Sequence, residues 1–168
     1  KLDLKAEIFD VSKVINLAVG EMRSLADAKN LSLLVKIDLQ NSLVFNDPVR
    51  IKQILINLLS NAIKYSPADS PIDVRIVGDG ERVSLSVTDR GIGLGPDEAK
   101  DLFRRYSRGR GAVEEGIPGI GLGLYLARGI VEAHGGTIRA ESAGRGQGTT
   151  FEVVIPRTVL VPETTAGV

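Results

Sequence analysis

Pro48–Tyr65 reads PVRIKQILINLLSNAIKY, and two stripes run along it at helical spacing. Ile51, Ile54, Leu55, Leu58, Leu59 and Ala62 make an apolar face that needs a core to pack against. Gln53, Asn57, Asn61 and Lys64 recur at steps of four, four and three on the other side. Asn46-Asp47-Pro48 supplies a cap and a proline at the first helical position, and Ser66-Pro67 stops the helix. Asparagine is a mediocre helix former because its amide competes for the backbone, so two of them one turn apart point to a task. Asn61 can offer its amide oxygen to a hard cation such as Mg²⁺, which brings phosphate oxygens with it. Lys64 can meet those phosphates as a point charge. A solvated helix face accounts for the same stripe.

Outward from this helix, the chain alternates helical and strand patterns. Asp10 caps a helix expected from Val11 to about Lys29, with Val11, Ile15, Ala18, Met22 and Leu25 on one stripe. Leu33–Leu39 and Leu43–Phe45 read as short strands around a turn at Gln40-Asn41. Ile72–Val77 and Arg82–Asp89 flank Gly78-Asp79-Gly80, a hairpin signal, and Val83, Leu85 and Val87 alternate with Ser84, Ser86 and Thr88. A short helix is expected near Asp97–Arg105, then a glycine-rich loop to about Gly119. Leu122–His134 is helical and ends at Gly135-Gly136, and Thr137–Ser142 with Thr149–Ile155 form a second hairpin. The fold class is therefore α/β (α+β): a two-layer sandwich with a mixed, largely antiparallel sheet of about five strands and about three helices on one face. From Pro156 onward the periodicity disappears.

Composition narrows the function. The 168 residues suit one domain, and 21 Lys plus Arg balance 21 Asp plus Glu, so no nucleic-acid or membrane binding is expected from charge. Cysteine is absent, which removes disulfides, thiolate metal sites and cysteine nucleophiles together. No apolar run approaches the roughly 20 residues of a membrane span. The single histidine, His134, excludes a multi-histidine metal site. Of the 19 glycines, 15 lie between Gly91 and Gly148, so one stretch needs unusual backbone.

Within that stretch, Asp89-Arg90-Gly91-Ile92-Gly93 follows a strand directly. A carboxylate there can accept a hydrogen bond from the exocyclic amine of adenine, where guanine presents a carbonyl oxygen. An aspartate capping a strand-ending turn has the same sequence. Gly119-Ile120-Gly121-Leu122-Gly123-Leu124 enters a helix, and backbone N–H groups at such a start make a phosphate cradle. It is no Walker loop, since G-x-x-x-x-G-K-[ST] is missing, and no strand precedes it as a dinucleotide fingerprint requires. Between the glycine clusters, Phe103, Arg104, Arg105, Tyr106, Arg108 and Arg110 look like a lid that closes over charge; RNA binding uses the same ingredients.

Taken in order, Gln53–Pro67 (QILINLLSNAIKYSP), Asp89–Gly93 (DRGIG), Leu102–Tyr106 (LFRRY), Gly119–Leu124 (GIGLGL) and Gly146–Phe151 (GQGTTF) resemble the five boxes of the sensor histidine kinase ATP-binding domain. That domain shares a superfamily with type II topoisomerase, heat-shock chaperone and mismatch-repair ATPases. The resemblance covers roughly Phe9 to Pro156. It implies ATP and Mg²⁺ as cofactors, with Asn61 on the metal and Asn57 polar toward the same site. It places Lys64 and Tyr65 at phosphate and ribose. Asp89 would hold the adenine amine with Thr149 near it, Gly91 and Gly93 would let the base in, and Leu94 and Tyr106 would complete the pocket. Gly119, Gly121, Leu122, Gly123 and Leu124 would wrap the phosphates under a flexible ATP lid. Arg108 would stabilise the γ-phosphoryl group in transfer, with Arg105 a second candidate.

The hydrolysing relatives in that superfamily have glutamate where this chain has Asn57, and an amide cannot take a proton near neutral pH. Slow hydrolysis and transfer to a side chain are therefore expected, a reaction in which the protein chiefly positions groups and spreads charge. The resemblance implies an acceptor histidine on a separate dimerising hairpin; His134, followed by Gly135-Gly136, reads as a helix-end residue instead. Residues 1–8 are expected to be a linker from that hairpin, 9–156 the ATP-binding domain and 157–168 a tail. The expected partners are the dimerisation and phosphoacceptor domain and a downstream response regulator. The expected setting is a cytoplasmic segment, monomeric in isolation, of a homodimeric parent. A serine kinase of the anti-sigma type and a non-catalytic nucleotide-dependent interaction module are the alternative functions.

Overall fold

A computed structural model of the chain describes residues 2–105, 107–108 and 122–161. Eleven elements follow one another among these residues: β1 (Glu7–Asp10), α1 (Val11–Ala28), β2 (Ser32–Asp38), β3 (Leu43–Asn46), α2 (Pro48–Tyr65), β4 (Pro71–Gly78), β5 (Arg82–Asp89), α3 (Glu98–Asp101), α4 (Gly123–Ala133), β6 (Thr137–Glu141) and β7 (Thr149–Pro156). A five-stranded sheet runs β2-β4-β5-β7-β6, antiparallel throughout except that β2 lies parallel to β4. The long helices cover one face, with α2 packed between α1 and α4. This is the expected two-layer sandwich.

Local chemistry sets the helix ends. Asp47 accepts a hydrogen bond from the Arg50 N–H at 3.0 Å with Pro48 in the first helical position, and its second oxygen accepts the Lys5 N–H at 2.8 Å. The cap thus starts α2 and also holds the incoming chain. Asp10 caps α1 through the Ser12 N–H at 2.9 Å. The apolar stripe of α2 is buried as its spacing requires, with Leu55, Leu58, Leu59 and Ala62 fully enclosed. On α1 the stripe is rotated by one residue at its end: Leu25 is exposed, and Ala26 takes the core position.

Two expectations change. Leu33–Leu39 and Leu43–Phe45 do not pair with each other. β2 joins the main sheet beside β4, whereas β3 pairs antiparallel with β1 in a separate two-stranded sheet. Residues on both flanks of 9–156 meet this small sheet. Glu7 and Ile8 belong to β1, while Phe45 donates its N–H to Arg157 and accepts that of Val159, which is buried. The short helix is four residues, Glu98–Asp101, rather than the span to Arg105.

The sheet's alternation places the chemistry. Val83, Leu85 and Val87 on β5 face the helices, and Asp89 falls on the same parity at the strand end. Its register partner on β7 is Thr149, which precedes the buried Phe151, Val153 and Ile155 on that face. A carboxylate therefore stands at a core position where the sheet runs out beneath α2.

Candidate functional site

Between α2, the ends of β5 and β7, and the start of α4 lies a cleft with about 820 Å³ of empty space. From α2 it receives Asn57, Asn61, Lys64 and Tyr65; from the sheet ends Asp89 and Thr149; from the loop after β5 Gly93 and Leu94. Arg108 and the first residues of α4, Gly123 and Leu124, also line it. The helix start matters because the first N–H groups of a helix have no partner within it. Ile92, Leu102, Phe151, Ser60 and Ser107 also line the cleft and went unassigned in the sequence. Of these, only Phe151 had a signal, the β7 alternation that points it inward.

In this lining Asp89 is 4% exposed, and its Oδ1 accepts the N–H groups of Gly91 at 2.9 Å and Thr149 at 3.3 Å. Burial raises its pKa above the ordinary 3.8, opposed by those two hydrogen bonds. The glycines after it also serve the protein's own packing. A Cβ on Gly91 would stand 2.1 Å from the Tyr65 carbonyl oxygen, and one on Gly93 (φ +65°) 2.1 Å from that of Gly144. Their missing side chains let the protein's own backbone close around Asp89.

The same cleft also carries cationic groups. Nε and Nη2 of Arg108 are buried without a hydrogen-bond partner, and so is Nδ2 of Asn57. Unpaired buried donors are costly, so these groups fit an anionic ligand that satisfies them. Among the described residues no cluster of three His, Cys, Asp or Glu exists to hold a metal. Asn61 is among the oxygen-bearing side chains that line the cleft, and an amide oxygen is a donor type that a hard cation takes.

Other expected residues fall elsewhere. Arg105 lies in a neighbouring groove with Arg50, Gln53, Arg104 and Tyr125, not in the cleft. Gln53 therefore leaves the polar stripe, and its Oε1 accepts a hydrogen bond from Arg50 at 2.9 Å. Leu122 stands just before α4 and accepts its first helical hydrogen bond, from Leu126. Tyr106, Gly119 and Gly121, and with them the lid over 109–121, lie outside the described residues. His134 is buried at the end of α4, its Nδ1 2.7 Å from the Ile130 carbonyl oxygen, as a helix-end residue would be. Lys29, which carried no signal in the sequence, donates to the Ile63 and Ser66 carbonyl oxygens at 2.7 and 2.6 Å and so fixes the end of α2 that bears Lys64 and Tyr65.

Residues 46–159 match the family model described as "Histidine kinase-, DNA gyrase B-, and HSP90-like ATPase". The chain belongs to this family. Within it, the likeness is to sensor histidine kinase catalytic domains. The circadian input-output histidine kinase CikA of Synechococcus elongatus is 36% identical over 163 residues, 96% of this chain, although the chain spans only 22% of CikA. The mycobacterial sensor histidine kinase MprB aligns over 93% of this chain and 100% of its own at 27% identity, with a TM-score of 0.78. Full-length ShkA, solved in complex with AMPPNP, shares the fold over 95% of this chain and 33% of its own (TM-score 0.82, 24% identity). No described helix is long and apolar enough to cross a membrane.

Proposed function

We propose that the chain binds Mg-ATP in this cleft and donates the γ-phosphoryl group to a histidine on a separate dimerisation domain. The observation that carries the reading is the cleft's polarity: one cleft is lined both by a buried carboxylate and by a guanidinium with two buried, unpaired nitrogens, and a purine triphosphate is a matching ligand. Asp89 accepts the adenine amine and repels guanine's carbonyl oxygen. Lys64 and Tyr65 meet phosphate and ribose. The start of α4, with Gly123 and Leu124, offers N–H donors to the phosphates. Asn61 holds the metal together with phosphate oxygens, and Mg²⁺ supplies charge neutralisation on those oxygens.

In the transfer, the acceptor imidazole nitrogen forms a bond to the γ-phosphorus as the bond to the β–γ bridging oxygen breaks, and ADP leaves with that electron pair. Arg108 stabilises the charge spreading over the transferring group. Asn57 cannot deprotonate a water, so hydrolysis does not compete. The AMPPNP complex of ShkA supports nucleotide binding by this fold. The domain acts in the cytoplasm, monomeric by itself, in a homodimeric parent that passes phosphate to a response regulator.

Supplying γ-labelled ATP with Mg²⁺ and a histidine-bearing helical hairpin of the sensor kinase type tests this. Label on the hairpin in an acid-labile bond supports the reading. Label only on a serine-bearing acceptor indicates the anti-sigma type of kinase, and nucleotide binding with no transfer to either indicates an interaction module.

A further inference from the structure

The hydroxyl of Ser142, just past β6, joins two backbone segments far apart in sequence. Its oxygen accepts the N–H groups of Leu94 at 3.0 Å and Gly144 at 3.2 Å, and it donates to the Gly148 carbonyl oxygen at 2.6 Å. Leu94 forms part of the cleft wall, and Gly148 precedes Thr149, whose N–H reaches Asp89. The same two segments are zipped by Gly146 N–H to Ile92 oxygen at 2.7 Å and Gly148 N–H to Gly91 oxygen at 3.1 Å. A partly buried ion pair, Glu98 to Arg145 at 2.6 Å, holds the flank, and Glu98 also accepts the Gly95 N–H.

Resting on the reading of the cleft as an ATP site, we propose that Ser142 is a positioning residue for base recognition. Ser142 does not itself line the cleft. It sets the separation of the two walls between which Asp89 is presented, the loop at 91–94 and the turn at 144–149. Without the hydroxyl, the Leu94 N–H and Gly148 carbonyl lose their shared partner, and the walls are free to part.

The test is a double-mutant cycle on ATP affinity, measured with Mg²⁺ by calorimetry on the intact chain. Ser142→Ala is expected to weaken ATP about tenfold, and Ser142→Thr, which keeps the hydroxyl, to restore it to within about twofold. In an Asp89→Asn background the alanine change adds no more than about twofold, because both act on the base. In an Arg108→Ala background it keeps its full factor, because the phosphate end is independent. A merely structural serine would multiply its factor in both backgrounds, and that result overturns the proposal, as does a Ser142→Ala protein within about twofold of wild type. If the alanine variant does not fold, Ser142→Cys, near in size and a weaker hydrogen-bonding group, takes its place in the same cycle. Wild-type protein that binds no ATP is a separate result: it overturns the reading of the cleft, and this inference with it.

Discussion

Asp89→Asn changes one atom's chemistry at the base end of the cleft while leaving its shape alone. The Oδ1 that accepts the Gly91 and Thr149 N–H groups survives as an amide oxygen, so the local backbone keeps both hydrogen bonds. The other oxygen becomes an NH₂ group, a donor facing the donor amine of adenine. Losing that hydrogen bond and leaving donors opposed costs about 1–3 kcal/mol, or about 5- to 150-fold in ATP affinity. Stability moves the other way. Burial holds the carboxyl's pKa above 3.8 in the fold, which means that the charged form is disfavoured there, and the amide removes that cost. The nucleotide-free variant should melt no lower than wild type near neutral pH, while its preference for ATP over GTP shrinks. Calorimetric titration with both nucleotides and thermal melts without them check this. ATP affinity within about twofold of wild type refutes the reasoning, and so does a melting point lower by more than about 5 °C, which traces the loss to the fold.

Three further outcomes are expected. Lowering the pH should weaken ATP binding as Asp89 takes up a proton through its raised pKa. For the free protein the same group contributes stability that is fully present below the unfolded value of about 3.8 and lost as pH rises through the folded one; titrations and melts across the acid range read both signs, and Asp89→Asn should flatten both. Gly91→Ala drives a Cβ into the Tyr65 carbonyl, which should cost about 1–3 kcal/mol and several degrees of melting temperature, whereas Gly20→Ala on the exposed face of α1, with open space around it, should gain about 0.5–1 kcal/mol. Arg108→Ala should not lower the melting point of the free protein, since it removes buried donors that have no partner. It should weaken ATP about 5- to 150-fold and leave adenosine unaffected, as parallel titrations will show.

The elements that are legible in the sequence are the local ones. The α2 stripe, its Asp47-Pro48 start and the β5 alternation are each decided within a few residues, and the structure keeps them. Pairing is not local: β2 meets β4 across the whole of α2, so a short Gln40-Asn41 turn suggested a hairpin that the sheet does not contain. β1 is four residues long and its apolar positions, Ile8 and Phe9, lie side by side, so nothing in its pattern announces a strand. In the cleft, residue type singled out side chains that the fold brings together, as with Asn61, Asp89 and Arg108. It is silent where backbone meets backbone: Gly91 and Gly93 make way for Tyr65 and Gly144, which no reading of the turn alone reveals. Arg105 and Arg108, three residues apart, are separated into groove and cleft by the direction of the chain after α3.

The most direct measurement is a crystal structure of the chain grown with Mg²⁺ and a non-hydrolysable ATP analogue. The account predicts the adenine amine about 3 Å from the Asp89 carboxylate, the metal on the Asn61 amide oxygen and the terminal phosphate against Arg108. Nucleotide bound outside this cleft, or seated in it with the base turned away from Asp89, would contradict it.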